Sequence, residues 1–397
     1  MKKVVIAIDS MKGSLSSIEA GQAFARGVRQ AVQCEIAISP LADGGEGTAE
    51  ALVEGLGGVW KTVVVQDPAG NPVTASYGWI AEEKKAIIEI AAAAGLTLVP
   101  PEARDIRRAS SGGIGMMIRH AVSQGCRDFI IGIGGSAVND CGIGMLHMLG
   151  VSFLDHEGRV LGMRGEDCGA VASISTQSMI PELRECRFQI ACDVKNPLYG
   201  STGASFVFGP QKGGTQEDVE DMEKMHRHFA RKTYEVLGKD CADYPGAGAA
   251  GGLGFAFLAY LGADLEPGIE IVMRATGLEE QIRDADYVVT GEGCLDAQSV
   301  MGKAPIGVAR IAKKYGIPVL AVAGSILPES RVCNEKGIDA YFSILPRTMT
   351  LKEAMDKKRA EEHVQNTAEQ LFRLLAAAEK KAPFDLPGSL FYMSKLH

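Results

Sequence analysis

Several things are missing from this chain, and each absence removes a class of protein. Its nine cysteines (34, 126, 141, 168, 186, 192, 241, 294 and 333) are odd in number, scattered, and form no C-x-x-C pair. That excludes a disulfide framework and a zinc ribbon, and suits reduced thiols in a cytoplasm. No H-E-x-x-H, no Walker A G-x-x-x-x-G-K-[ST] and no H-R-D with D-F-G occurs, so zincin, P-loop and protein-kinase machinery are absent. Basic residues are not in excess: 41 Lys and Arg stand against 49 Asp and Glu, for a net charge of −8. Nucleic acid and anionic membrane surfaces are therefore not the expected partners. No window of ~18 apolar residues is present to span a bilayer. The apolar run 4–8 before Asp9 is too short for a signal-peptide core and reads as a buried strand.

What is present is glycine. The 397 residues include 48 Gly, about 12% against a usual ~7%, gathered as DGGEG (43–47), SGGIG (111–115), GIGGS (132–136), GPQKGG (209–214), GAGAAGGLG (246–254) and GEG (291–293). Glycine lets backbone amides approach a ligand closely, so several such clusters suggest loops around a phosphate-bearing molecule. Apolar runs of strand length at 3–8, 129–133, 287–290, 319–323 and 340–345 alternate with helical patterns, which predicts a parallel sheet covered by helices on both faces. After the first run, Ser16 and Glu19 stand at capping-box spacing. Residues 59–90 read instead as antiparallel hairpins, with turn signals at DPAGNP and EEKK. Further on, Val219, Met222, His226, Phe229 and Val236 fall on one helical face, where His226, like His228, reads as structural. The chain is thus expected to form a discontinuous α/β domain from 1–58, 105–150 and 281–397. A mixed α+β domain, 59–104 and 151–280, is inserted in two pieces, with a ligand cleft between them. The last fifteen residues, with two Pro, read as a tail.

The polar loops carry the chemistry. Lys12 and Ser14 follow the first strand, at the edge where open parallel sheets bind ligands. Asp43, Gly44, Gly45 and Glu46 put two carboxylates in a glycine turn, where they can hold Mg²⁺ or take a hydroxyl proton. Gly132, Gly134 and Ala137 fit G-x-G-x-x-A, with Asp155 about twenty residues beyond, the spacing of a dinucleotide fingerprint. An NAD(P)-dependent oxidoreductase is therefore a rival reading. Ser136, Asn139 and Asp140 supply side chains that a pyrophosphate loop does not need. Gly246, Gly248 and Gly251 repeat the fingerprint without a preceding strand. Asp193 and Asn196 end another apolar run, Lys212 sits in a further loop, and Glu292, Asp296 and Lys303 cluster after 288–290.

Taken in order, DSMKGSLS (9–16), ADGGEGT (42–48), IGIGGSAVND (131–140), ACDVKNPLYG (191–200), VFGPQKGG (207–214), PGAGAAGGLG (245–254), VVTGEGCLDAQS (288–299) and GKAPIGVA (302–309) resemble the class I glycerate kinases. The resemblance implies a flavodoxin-like doubly wound domain paired with the discontinuous second one, and ATP-dependent phosphorylation of D-glycerate, usually at the 2-hydroxyl, with Mg²⁺. It implies Lys12, Asp43 and Asp193 as catalytic residues. The same resemblance gives Asp193 and Glu292 as metal ligands, with the three carboxylates unranked between base and ligand. Substrate or phosphate contacts are expected from Ser14, Gly44, Gly45, Gly134, Gly135, Ser136, Asn139, Asn196, Lys212, Glu292, Asp296 and Lys303. The partners implied are glycerate and ATP, and self-association into a homo-oligomer is left open. The chain departs from the family pattern at Cys294 (Arg in the pattern), Ile114-Gly115-Met116 (Thr-Gly-Glu), Val138 (Thr) and Met11 (Phe or Tyr). A non-catalytic member that keeps the fold is the remaining alternative.

Overall fold

The computed structural model describes residues 1–42, 44–45, 47–296, 299 and 303–379. Asp43 and Glu46 lie outside the described residues, as does the tail from 380. Among the described residues thirteen strands follow one another: β1 (Lys3–Ile8), β2 (Glu35–Ile38), β3 (Val59–Gln66), β4 (Pro72–Ile80), β5 (Lys85–Glu89), β6 (Asp128–Gly132), β7 (Ser152–Leu154), β8 (Ser173–Ser175), β9 (Arg187–Ala191), β10 (Asp264–Glu266), β11 (Tyr287–Leu295), β12 (Val319–Ile326) and β13 (Ala340–Ser343).

Five of them make an all-parallel sheet in the order β13-β12-β11-β1-β2. Numbered within that sheet alone, the order is 2-1-3-4-5, the flavodoxin arrangement. Val4, Val5, Ile6, Ala7 and Ile8 are all buried because β1 has a strand on each side and helices over both faces. One face carries helix Ala304–Lys314. The other carries helices Ser17–Ala31 and Lys357–Glu379, where Phe24 meets Phe372 edge-on at 6.0 Å. The predicted capping box is formed: Glu19 N donates to Ser16 Oγ at 3.3 Å and Ser16 N donates to Glu19 Oε2 at 3.0 Å.

Six strands form the second sheet, in the order β10-β9-β6-β5-β4-β3. The predicted hairpins β3-β4-β5 are antiparallel, whereas β5, β6, β9 and β10 are parallel. Two segments sit elsewhere than the sequence partition expects. Segment 105–150 does not join the flavodoxin-like sheet: β6 bonds to β5 and β9, and helix Gly112–Ser123 packs in the core over the second sheet. Helix Thr48–Gly55, counted with 1–58, also packs on β4 and β5. The cause is general. A fully buried parallel strand reads the same whichever sheet it joins, because periodicity reports burial and carries no information about neighbours. In helix Gln216–Leu237 the buried face holds Val219, Met222, His226 and Phe229 as expected, but Val236 is exposed.

Helix Ser17–Ala31 crosses helix Lys357–Glu379 closely at Gly27, where an added Cβ would lie 2.1 Å from the Gln365 carbonyl oxygen. A backbone oxygen cannot rotate away. The overlap, at the upper end of ~1–3 kcal/mol for overpacking, outweighs the ~1 kcal/mol of helix propensity that Ala brings. Gly27→Ala is expected to lower the urea midpoint, by about 1–2 kcal/mol of stability; an unchanged or raised midpoint contradicts this packing.

Candidate active site

The loop after β1 is shaped by its own backbone. Asp9 N extends the ladder to Gly291 O at 2.9 Å, Met11 N and Leu15 O pair at 2.8 Å, and Gly13 takes φ +79° to close the turn. Ser17 Oγ donates to Ile8 O at 2.6 Å and accepts from Leu41 N at 2.8 Å. The end of β1 is thereby fixed to the segment that crosses to the second sheet. Lys12, exposed on the turn, lines two adjoining cavities.

The larger cavity, about 610 Å³, lies over the carboxyl ends of β1, β11 and β12. Asp9, Ser14, Glu292, Asp296 and Lys303 line its polar side, while Ile344, Leu345, Met349, Leu351 and Met355 form an apolar wall. Lys303 Nζ stands 3.9 Å from Glu292 Oε2 and 4.0 Å from Asp296 Oδ1. Glu292 is 7% exposed, and its Oε1 is buried without a hydrogen-bond partner. Burial raises its carboxyl above the ordinary value, with Asp9 and Asp296 adding, against the Ser299 bond and Lys303. A buried carboxylate oxygen with nothing to accept from suits a cation. Among the described residues no group of three or more His, Cys, Asp or Glu could cage a metal. Mg²⁺, which takes one or two carboxylates and completes its shell with water and phosphate oxygens, still fits.

The smaller cavity, about 380 Å³, lies at the carboxyl ends of β6 and β9. Gly44, Gly45, Gly134, Gly135, Ser136, Asp193 and Lys212 line it together with Lys12. The 134–136 loop is anchored from behind, by Leu96 N to Gly135 O at 2.9 Å and Ala137 N to Ala94 O at 2.8 Å. Among the described residues no carbonyl takes the amides of Gly134, Gly135 and Ser136. Successive amides without carbonyl partners are what an anion-binding concavity needs. Asp193 Oδ1 accepts from Gly268 N at 3.2 Å, at the start of helix Gly268–Ala275. Lys212 is 2% exposed, and its Nζ donates to Ser136 Oγ at 2.9 Å and Val138 O at 2.6 Å. Burial pushes its ammonium down to about 7, against the pull of Asp140.

Lys12, Ser14, Glu292, Asp296 and Lys303 are thus gathered on one side, and Gly44, Gly45, Gly134, Gly135, Ser136, Asp193 and Lys212 on the other. Asp43 lies outside the described residues. Two expected contacts line neither cavity. Asn139 is fully buried, its Nδ2 donating to Ser205 Oγ at 3.1 Å, and Asn196 Nδ2 donates to Thr202 O at 2.7 Å. The Asn196 amide holds its own loop, while Asn139 spends its Nδ2 on Ser205 and keeps a buried Oδ1 without a hydrogen-bond partner. Asn139 is the front of a buried set that sequence reading did not assemble. His226 Nε2 bonds Asn139 O at 3.0 Å, its Nδ1 faces Ser205 Oγ at 3.4 Å, and burial pushes the imidazole down to about 4. Asp140, also fully buried, accepts from Ser111 N and Oγ, Gly142 N and Gly144 N. The signal available for these residues was only polar type within apolar runs. The NAD(P) fingerprint fails on geometry. The next helix starts only at Ile143 and has six residues, and Asp155 is bound to Arg159 and the Glu157 and Arg159 amides in an exposed turn. The 246–251 match is a kink, with Ala250, Gly251 and Gly252 left-handed and Gly251 against Val138 O.

A cleft at the carboxyl ends of parallel strands from two sheets, with cations, open amides and a buried carboxylate, suits an α/β kinase, which needs positioning and charge neutralisation. Comparison with known proteins agrees. The model of the glycerate kinase family matches residues 4–376. The glycerate kinase of Halalkalibacterium halodurans is 45% identical over 358 residues, covering 90% of this chain and 94% of that one. Glycerate 2-kinase of Escherichia coli is 46% identical over 353 residues, or 89% and 93%. The crystal structure of a Salmonella typhimurium LT2 protein assigned as glycerate kinase 2 superimposes with a TM-score of 0.89 at 44% identity, covering 96% of this chain and all of that one. The chain belongs to the glycerate kinase family.

The buried ammonium gives a signed prediction. Below pH 7 Lys212 is protonated folded and unfolded, and the full cost of burying charge is present. From about 7 to the ordinary 10.5 the folded protein releases the proton first, so stability rises with pH. Lys212→Met removes this term and leaves the cysteines and carboxylates common to both proteins. The stability of the variant minus that of the wild type should fall by about 1–3 kcal/mol between about pH 6 and about pH 9, measured by urea denaturation. A pH-independent difference would show that Lys212 keeps its ordinary value.

Proposed function

We propose that the protein transfers the terminal phosphoryl group of ATP to D-glycerate, at the 2-hydroxyl, with Mg²⁺. The observation that carries the proposal is that Lys12, on the first sheet, borders both the cavity with the buried Glu292 carboxylate and the cavity with the open 134–136 amides. Phosphoryl transfer asks a protein chiefly for alignment and charge neutralisation, and these groups supply both. In this reading the larger cavity takes the nucleotide, its base against Met349, Leu351 and Met355 and its phosphates toward Lys303 and Lys12. The smaller cavity takes glycerate. Its carboxylate lies on the Gly134–Ser136 amides near Lys212, and Asp193 accepts the hydroxyl proton. Glu292 would hold Mg²⁺, which neutralises phosphate charge when bound. The two sheets would act as separate lobes gripping the ligands from opposite sides. The name of the Escherichia coli relative supports the 2-position, and nine free cysteines suit a cytoplasmic setting.

The test is ADP release from Mg-ATP with D-glycerate, with NADH turnover measured in parallel. Glycerate-dependent ADP and no nicotinamide response are expected; nicotinamide turnover without ADP overturns the reading. Lys12→Ala should lower kcat/KM at least ~100-fold, about 2.7 kcal/mol, with the fold intact by circular dichroism. Near-normal activity would return Lys12 to a surface role. Glu292→Gln should raise the Mg²⁺ concentration for half-maximal rate by about tenfold or more, and an unchanged Mg²⁺ dependence would remove it from metal binding.

A further inference from the structure

Next to the 134–136 loop, where Ala137 lines it, lies a separate cavity of about 320 Å³ that shares no lining residue with either cleft cavity. Three arginines line it, Arg104, Arg108 and Arg164, against one carboxylate, Asp105. This is a local cationic surplus on a protein whose net charge is −8. The rest of the lining is small and apolar, including Ala103, Ala109 and Ala137.

Among the described residues, two of the three arginines, Arg104 and Arg108, form no ion pair with a carboxylate. Arg104 donates to three carbonyl oxygens, of Val99 at 3.3 Å, Gln211 at 3.1 Å and Leu96 at 3.4 Å. Carbonyls satisfy its N–H groups and leave its charge uncompensated. No side-chain hydrogen bond or ion pair of Arg108 is found among the described residues; only its backbone amide is engaged, by Asp105. Arg164 has a long contact of 3.8 Å to Glu166 and is more than half exposed. Asp105 uses Oδ1 to cap the amides of Arg107 and Arg108. Guanidinium groups pair bidentately with phosphate and carboxylate, and three of them around one small cavity favour a ligand with more than one anionic group. Apolar walls of Ala and Val leave room for a short carbon chain and no ring stack.

We propose that this cavity binds a small phosphorylated organic acid, at a site distinct from the cleft. Its position gives it a mechanical route to the active site. Arg104 holds the carbonyl of Gln211, which precedes Lys212, and that of Leu96, whose amide holds Gly135. Ala137, in the lining, follows Ser136. An anion that draws Arg104 toward the cavity pulls on both supports of the 134–136 loop.

The probe is 2-phosphoglycolate, which carries a phosphate and a carboxylate but no acceptor hydroxyl, titrated calorimetrically into the full chain. Three proteins are compared: wild type, Lys12→Ala, and the double variant Arg108→Glu with Arg164→Glu, whose side chains are exposed enough to change without loss of fold. Unchanged thermal unfolding confirms that. Expected are binding to wild type, retained in Lys12→Ala, and about tenfold or more weaker in the double variant. The reverse pattern, loss in Lys12→Ala and retention in the double variant, places the anion in the cleft and overturns the proposal. So does the absence of binding to wild type at about 10 mM probe.

Discussion

Two sheets can present the carboxyl ends of their parallel strands to one cleft only if the chain passes between them at backbone distance. That passage is made through glycine. An added Cβ on Gly44 would lie 2.8 Å from Gly268 Cα, and one on Gly132 would lie 3.0 Å from Gly44 O. Gly44 also takes φ +90°, a conformation that side chains resist. The rest of the site follows from this approach. The loop after β1, anchored through Ser17 to Leu41, is brought beside the loops after β6 and β9. Lys12 is thereby shared, and each sheet contributes what the other lacks: a buried carboxylate from β11, and free amides and a buried ammonium from the β6 side.

The second constraint is how the 134–136 loop stays open. Three adjacent amides without acceptors are costly unless water or a ligand meets them, and they would fold back onto the protein if the loop were free to move. Anchorage behind the loop prevents it. Leu96 and Ala94 pair with Gly135 and Ala137, Lys212 ties Ser136 to Val138, and the Asn139–Ser205–His226 set packs beneath. A lysine that burial pushes down to about 7 sits poorly with a purely structural use, since a methionine would fill that space without a desolvation cost. Its position on the cavity wall supplies a reason to keep it.

Much of this was legible in the residues. The apolar runs located strands of both sheets, Ser16 and Glu19 marked the first helix, and the hairpin turns at 67–72 and 81–84 were visible as turn chemistry. Most of the polar residues singled out do line the cleft, because in a parallel sheet the loops at strand carboxyl ends are the ones that meet ligand, and Lys12, Asp193 and Glu292 sit there. Sheet membership was not legible. β6 is apolar and buried like β1, and nothing in its own residues names its neighbours. Nor was the division of polar residues into those that line the cleft and those that lie behind it. Asn139 and Asn196 carry the same groups as the residues that line the cleft, and only the partners of their Nδ2, Ser205 Oγ and Thr202 O, set them apart. The dinucleotide fingerprint misled because glycine spacing describes a tight turn after a strand, and that turn here is not followed at once by a helix.

The account rests on one assembly of nucleotide and glycerate being held from both sheets at once. A crystal structure with a non-hydrolysable ATP analogue, Mg²⁺ and D-glycerate measures this directly. It should show Lys12 and the Gly134–Ser136 amides contacting the same bound assembly, with Glu292 beside the metal. A nucleotide and glycerate lodged together against one sheet, with the opposite loop untouched, would contradict it.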